Sequence, residues 1–258
     1  MAEERPVDIP ASLVSALRGA KHVAVLTGAG VSAESGLPTF RDPMTGLWAK
    51  YRPEDLATPE AFARDPRLVW EWYEWRRGLV RAAHPNPGHL ALAEMERRVP
   101  RFVLLTQNVD GLHQRAGSRN VVELHGNITR SKCFEAEHPA GSWPETGEVP
   151  PPCPRCGSPL RPDVVWFGEA LPASAVSAAQ DAVETCDLFF SIGTSGMVQP
   201  AASFVHAAQA RGATVAIINP DVSGFASTSR ILVLGASGRV LPALLEKAWP
   251  GAGTTHVQ

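Results

Sequence analysis

Seven short apolar runs constrain this chain more than any other feature: residues 23–26, 102–105, 121–124, 164–167, 188–192, 215–218 and 231–234. Helix-like segments lie between several of them, including 87–98, 174–185 and 200–211. Strands and helices alternating at these lengths predict a parallel sheet covered on both faces. Two stretches break the rhythm. Residues 42–83 are rich in Trp, Arg and Glu and read as helical, with Trp70, Trp72, Tyr73, Trp75 and Arg76 close together. Residues 127–163 are rich in Pro and Cys and show little periodicity. Both read as insertions that together form a smaller domain, and 258 residues suffice for a large domain with a small one.

The first apolar run leads into Thr27-Gly28-Ala29-Gly30-Val31-Ser32-Ala33-Glu34-Ser35-Gly36, followed by Leu37-Pro38-Thr39-Phe40-Arg41. This reads as a buried strand ending in a glycine turn, where a backbone without Cβ atoms can approach a pyrophosphate at a helix start. Gly28-x-Gly30-x-x-Ala33 fits dinucleotide spacing, but so short a pattern is weak taken alone. No acidic residue closes a second strand about 20 residues further on, which disfavours a dehydrogenase.

Ligands of open α/β sheets gather at the carboxyl ends of the strands. Polar clusters follow four further runs: Thr106-Gln107-Asn108-Val109-Asp110, His125-Gly126-Asn127, Gly193-Thr194-Ser195 and Asn219-Pro220-Asp221. Gln107, Asn108 and Asp110 suit a carboxamide and sugar hydroxyls, although an Asx-type turn explains them as well. His125 has the chemistry of a general base near pH 7, but a lone histidine is more often structural. The remaining clusters are ribose or phosphate sites, or turns.

Charge and cysteine usage narrow the class. A formal net charge of −2 gives no general attraction to nucleic acid or anionic membrane, and Arg76-Arg77 and Arg97-Arg98 read as solvated faces. No apolar run approaches a membrane span, and the acidic start lacks a signal core. Four cysteines, two of them as Cys153-x-x-Cys156, suit a metal site in a reducing, cytoplasmic setting.

Taken in order, the segments 28–36 and 38–41, Thr106-Gln107-Asn108-Val109-Asp110, Leu124-His125-Gly126 and Gly193-Thr194-Ser195 resemble the sirtuins, from about residue 23 to 245. The resemblance implies NAD-dependent protein-lysine deacylation and an α/β fold: a Rossmann-like, doubly wound parallel sheet with a smaller inserted domain. The expected division is 1–41, 84–126 and 164–258 for the NAD-binding domain. Residues 42–83 and 127–163 would form the small one, a helical module plus a Cys-containing, zinc-type module.

Carried over residue by residue, the cofactor contacts would be Gly28, Ala29, Gly30, Ser32, Phe40, Arg41, Trp48, Gln107, Asn108, Asp110, Gly193, Thr194, Ser195, Asn219, Asp221 and Ser237. His125 and Asn108 would be catalytic, with Phe40 shielding the reacting sugar. Val165, Trp166, Phe167, Gly168 and Glu169 match the segment that pairs with an extended acyl-lysine peptide. Tyr73 and Arg76 resemble the Tyr-x-x-Arg helix of the desuccinylase-like branch, where they would hold a succinyl or malonyl carboxylate; spacing alone fits an amphipathic helix equally well.

The chain departs from the pattern in three places. Of two expected Cys-x-x-Cys pairs, Cys153 and Cys156 are intact, but Cys133 faces Ala136, leaving the fourth zinc ligand open between His138, Glu137 and none. Cys186 reads as a core thiol. The stretch from Arg41 to Trp48 is one residue longer than usual, and Asn219-Pro220-Asp221 replaces Asn-x-Glu. Mono-ADP-ribosyl transfer or NAD hydrolysis, and a non-enzymatic NAD-binding module, are the competing readings.

Overall fold

The computed structural model describes residues 7–39, 49–142, 147–221 and 230–251. Within them a six-stranded parallel sheet runs in the order β3-β2-β1-β7-β8-β9. Its strands are β1 (His22–Thr27), β2 (Arg101–Thr106), β3 (Val121–Glu123), β7 (Leu188–Ile192), β8 (Thr214–Asn219) and β9 (Arg230–Leu234). Side chains alternate across each strand, so one apolar run feeds two cores. Val23 and Val25 of β1 face one core with Phe190 and Ile218, against helices α1 (Ala11–Gly19), α6 (Pro87–Arg98) and α10 (Ser237–Ala248). Ala24 and Leu26 face the other with Phe189 and Ile217, against α8 (Ala173–Thr185) and α9 (Ala201–Ala210). This is the doubly wound α/β arrangement expected from the alternation.

Residues 53–82 supply helices α3 (Pro53–Leu56), α4 (Pro59–Arg64) and α5 (Pro66–Ala82). Helix α5 starts where Asp65 accepts the Leu68 N–H and Pro66 occupies the first turn. The Pro- and Cys-rich stretch carries an antiparallel sheet in the order β5-β4-β6, which the absence of periodicity had hidden. Its strands are β4 (Gly126–Cys133), β5 (Pro139–Ala140) and β6 (Leu160–Val164). Phe62, Trp72, Tyr73, Ile128, Val164 and Trp166 close a third core between the helices and this sheet.

Two sequence expectations need correction here. The run 164–167 is not a strand of the parallel sheet, because β6 ends at Val164 after pairing with β4. Arg76 and Arg77 are not a solvated basic patch. Arg77 is almost wholly buried, donating to the Ile128 carbonyl at 2.6 Å and the Ser131 hydroxyl at 3.1 Å, and pairing with Glu74. That arginine fastens α5 to β4. Arg76, one residue earlier, is half-buried on a different face.

Candidate functional site

Strand order reverses between β1 and β7, so their carboxyl ends open a crevice at the switch point. The turn after β1 and the turn after β7 meet there. A Cβ on Gly28 would lie 2.9 Å from the Gly193 carbonyl oxygen, and one on Gly30 would lie 2.8 Å from the same atom. Gly28 itself is extended, at φ −131°, a conformation open to any residue. The glycines are therefore needed for close packing of one turn on the other, a reason the sequence reading did not foresee. Gly28 N–H donates to the Ile192 carbonyl and Gly30 N–H to Gly193, whereas Ala29 N–H has no acceptor among the described residues.

Beneath the crevice the polar residues hold one another. The Ser32 hydroxyl donates to Asp110 Oδ2 at 2.7 Å, and Leu112 N–H donates to Asp110 Oδ1 at 2.9 Å. Asn108 Nδ2 donates to the Gly28 carbonyl at 3.0 Å and to Ser32 Oγ at 3.2 Å. Burial raises the Asp110 carboxyl, opposed by the Leu112 and Ser32 hydrogen bonds. Two histidines that sequence reasoning did not select complete the network. His89 Nδ1 accepts the Asn86 N–H at 3.3 Å, so its Nε2 carries the proton that faces Ser32 Oγ at 3.4 Å. His113 Nε2 lies 3.0 Å from Thr27 Oγ1, which spends its own proton on Thr106 Oγ1. Asn86-Pro87 before a helical run is the signal that was legible, since Asn86 and His89 form a capping box on α6.

His125 stands where the two sheets meet. Gly126 has φ +77° and a Cβ there would fall 2.2 Å from the Asp163 carbonyl oxygen, so only glycine lets β4 start beside β6. His125 Nδ1 lies 3.0 Å from the Gln107 carbonyl oxygen. A carbonyl only accepts, so Nδ1 holds the proton and Nε2 keeps a lone pair. Burial pushes the imidazole below its usual range, and the Gln107 bond partly opposes this. A neutral base at pH 7 results.

The other predicted contacts fall into two groups. Thr194 is buried with its hydroxyl 2.9 Å from Ser191 Oγ, and its carbonyl accepts Asn219 Nδ2 at 2.7 Å. Ser195 and Asp221 are exposed, and Gln107 lines the same cleft as Thr194. Ser237, by contrast, is buried and donates to Glu34 Oε2 at 3.0 Å. Its hydroxyl is committed to closing the first turn of α10. Phe40, Arg41 and Trp48 lie outside the described residues, as does most of the lengthened loop.

Tyr73 and Arg76 sit one turn apart on α5. The Arg76 guanidinium carbon is 5.7 Å from the Tyr73 ring centroid and 4.9 Å from that of Trp72. Desolvation lowers the Arg76 pKa, opposed by Tyr73 and by the charge of Asp110. In the loop after β6, Val165 N–H donates to the His125 carbonyl, Trp166 N–H to Glu169 Oε2 and Phe167 N–H to the Ala57 carbonyl. Phe167 and Gly168 are exposed, whereas the Trp166 ring is buried. The Trp166 carbonyl in turn accepts the Glu169 N–H at 3.0 Å, so much of this loop's backbone is bonded within the fold.

The metal question resolves in the small sheet. Two turns share one pattern: Cys153 N–H bonds Ser158 O and Gly157 N–H bonds Cys153 O, while Cys133 N–H bonds His138 O and Glu137 N–H bonds Cys133 O. Gly157 and Glu137 occupy the same left-handed position, at φ +77° and +51°. Ala136 therefore stands where Cys156 stands in the sister turn, and it cannot ligate. His138 takes over two residues later, its Nδ1 3.9 Å from Cys153 Sγ. Cys133 and Cys156 sulfurs are 3.4 Å apart, and all four ligand atoms lie within 4.8 Å of one another. Tetrahedral zinc with ~2.3 Å bonds to sulfur needs edges of about 3.8 Å, so three thiolates and an imidazole fit the ion. Burial raises the Cys133 thiol, but hydrogen bonds led by the Ala136 N–H outweigh it and bring it down to about 7. Glu137 instead pairs with Lys132, and Cys186 is a core thiol pushed up to about 11 by burial.

Comparison with known proteins bears on this geometry. A family model described as the Sir2 family matches residues 28–200. The NAD-dependent protein deacylase of Methylococcus capsulatus is 50% identical over 242 residues, covering 91% of this chain and 95% of its own. A solved Sir2 homologue in complex with NAD superposes with a TM-score of 0.85 at 44% identity, over 95% of this chain and 96% of that one. A mutant Sir2 homologue bound to 2′-O-acetyl ADP ribose gives 0.86 at 44% identity, over 96% and 100%.

Proposed function

The chain belongs to the Sir2 family, and from that footing we propose an NAD-dependent protein-lysine deacylase whose acyl pocket favours succinyl and malonyl groups. The observation that carries this reading is a tautomer-fixed His125 set beside the Asn108–Ser32–Asp110 network at one sheet edge. NAD, when bound, would supply a ribose carbon with nicotinamide as leaving group, and with one water consumed the products would be lysine, nicotinamide and an O-acyl-ADP-ribose. Ala29 N–H and the Gln107 and Ser195 side chains offer donors along the crevice for pyrophosphate and ribose. Asn108 and Asp110, held by Ser32, orient the carboxamide. His125 Nε2 accepts the proton released from a ribose hydroxyl, which a neutral imidazole can do at pH 7.

Acidic acyl preference rests on Tyr73 and Arg76. A guanidinium already stripped of much of its water gains most from a carboxylate partner. A charge-assisted hydrogen bond of about 1.5–3 kcal/mol favours succinyl over acetyl by ~10–100-fold. The acyl-lysine peptide would enter between the NAD-binding domain (1–41, 84–126 and 164–258) and the small domain (42–83 and 127–163), along residues 165–169. Cys133, His138, Cys153 and Cys156 would hold zinc, which supplies a cross-link between two turns. Among the described residues no helix is long and apolar enough to cross a membrane. Three cysteines given to a metal and a fourth, Cys186, buried as a thiol suit a reducing, cytoplasmic setting.

Matched acetyl- and succinyl-lysine peptides with NAD test the reading, with deacylated peptide and nicotinamide both quantified. Nicotinamide release that ignores the peptide would establish NAD hydrolysis instead, and no release at all a binding module. Arg76→Met should lose most desuccinylation while retaining deacetylation; equal loss of both refutes the carboxylate clamp.

A further inference from the structure

Trp166 carries an unusual set of restraints for a residue of the third core. Its ring packs on Phe62 and Phe134, with centroids 5.4 and 6.5 Å away. The Arg161 guanidinium carbon sits 3.3 Å from the ring centroid on a face. Arg161 is itself buried, donating through Nη2 to Glu169 Oε2 at 2.9 Å and to the Val164 carbonyl at 2.9 Å. Glu169 Oε2 also accepts the Trp166 backbone N–H at 2.8 Å. One carboxylate therefore fixes both the backbone of Trp166 and the cation on its ring. Packing alone would be satisfied by Phe or Leu. An indole brings a donor that must find an acceptor in an apolar core. Here Nε1–H donates to the Tyr73 hydroxyl oxygen at 2.9 Å.

A phenol has one proton. With its oxygen accepting from Trp166, Tyr73 must donate in another direction, and Arg76 flanks its ring one helical turn away. We propose that Trp166 is a positioning residue for acyl specificity: its clamped indole N–H turns the Tyr73 hydroxyl into a donor aimed into the acyl pocket beside Arg76. A carboxylate can use that proton and a methyl group cannot. The inference rests on the acidic-acyl reading above. It also gives residues 165–169 a second task, since the segment that meets the peptide carries the residue that sets the pocket's donor.

The test is the ratio of kcat/KM for succinyl- and acetyl-lysine versions of one peptide. Trp166→Phe keeps an aromatic ring and removes the donor. The ratio should fall by ~3–10-fold, the size of one neutral hydrogen bond, and the change should lie in KM for the succinyl peptide. In a Tyr73→Phe background the same substitution should leave the ratio where it was, because the two act through one proton. If Trp166→Phe fails to fold, benzothienylalanine at position 166 keeps the bicycle and lacks only the N–H. An unchanged ratio, or a fall that persists undiminished in Tyr73→Phe, overturns the proposal. Should Arg76→Met abolish the preference while Trp166→Phe keeps it, only the role of Trp166 fails. A wild-type enzyme without succinyl preference refutes the acidic-acyl reading itself.

Discussion

The crevice over the parallel sheet and the paired turns of the small sheet both crowd polar atoms together, but by different means. In the crevice Ser32, Asn108, Asp110, Thr27 and Thr106 satisfy one another through neutral or singly charged hydrogen bonds. Thr27, Thr106, Asn108 and Asp110 sit on or just past strands whose burial the core has already fixed, and Ser32 lies in the short helix, residues 29–33, that follows β1. The arrangement stands without a ligand. In the turns three thiols and an imidazole converge within 4.8 Å with two sulfurs in contact, an arrangement whose thiolates repel unless a cation joins them. One site is held by the fold, and the other helps to hold it.

The sharpest break between the two is catalytic. His125→Ala should lower deacylation by about 10²–10⁴-fold, the usual weight of a general base, while zinc content stays at that of the wild type. Because burial depresses the His125 pKa, the acid limb of the activity profile should lie below pH 6.5. A limb above 6.5, or loss of zinc in the variant, contradicts the assignment. Cys153→Ala should do the reverse, dropping metal content below one per chain and lowering the melting temperature, with NAD binding retained by the folded fraction. His138→Ala should weaken zinc retention less, since three thiolates and a water can still fill the shell. Metal content after dialysis against chelator ranks the three proteins, and His138→Ala retaining zinc like the wild type excludes that ligand.

This contrast also explains what the sequence made legible. Each strand of the large sheet is an apolar run, and polar residues immediately after it must lie at the sheet's carboxyl edge, so Asn108, Asp110, His125 and Thr194 could be placed by reading along the chain. Nothing periodic marks β4 or β6, whose bulged pairing shifts register between Asn127 and Ser131. Their partners are set by turns and cysteines instead. His138 was one of three choices because the equivalence of the turns at Cys133 and Cys153 exists only in backbone hydrogen bonds. His89 was hidden differently: its role needs α6 laid against the first glycine turn, a contact 57 residues long.

The glycine turn offers a smaller test of preformation. Gly30→Ala sets a Cβ against Gly193 backbone atoms at 2.8 and 2.9 Å, where no side chain can swing aside. Overpacking of this kind costs about 1–3 kcal/mol. Urea unfolding should show that loss without NAD present. If stability is unchanged and only NAD affinity falls, the glycine serves the ligand alone.

The mildest effect comes from protons. Burial lowers His89 to about 4 and His113 to about 3, and the neighbouring His89 adds to the shift of His113. Geometry gives the same direction. A second proton on His89 would face the Asn86 N–H, and one on His113 Nδ1 would find no acceptor among the described residues. Both rings therefore stay neutral in the fold while the unfolded chain takes up protons from about pH 6.5 downward. Their stabilisation is complete above pH 6.5 and is lost as pH falls toward 4 and then 3. Between pH 7 and 5.5 this removes on the order of 1 kcal/mol per imidazole. Asp110 works against the trend, because its raised carboxyl takes up a proton more readily folded than unfolded. Against this one carboxyl stand His89 and His113, joined by His125, whose imidazole is likewise lowered by burial. Urea midpoints should thus decline from pH 7 to 5.5 in the zinc-loaded protein. A flat profile would mean that the rings accept protons in the fold, and that the crevice network is looser than its hydrogen bonds imply.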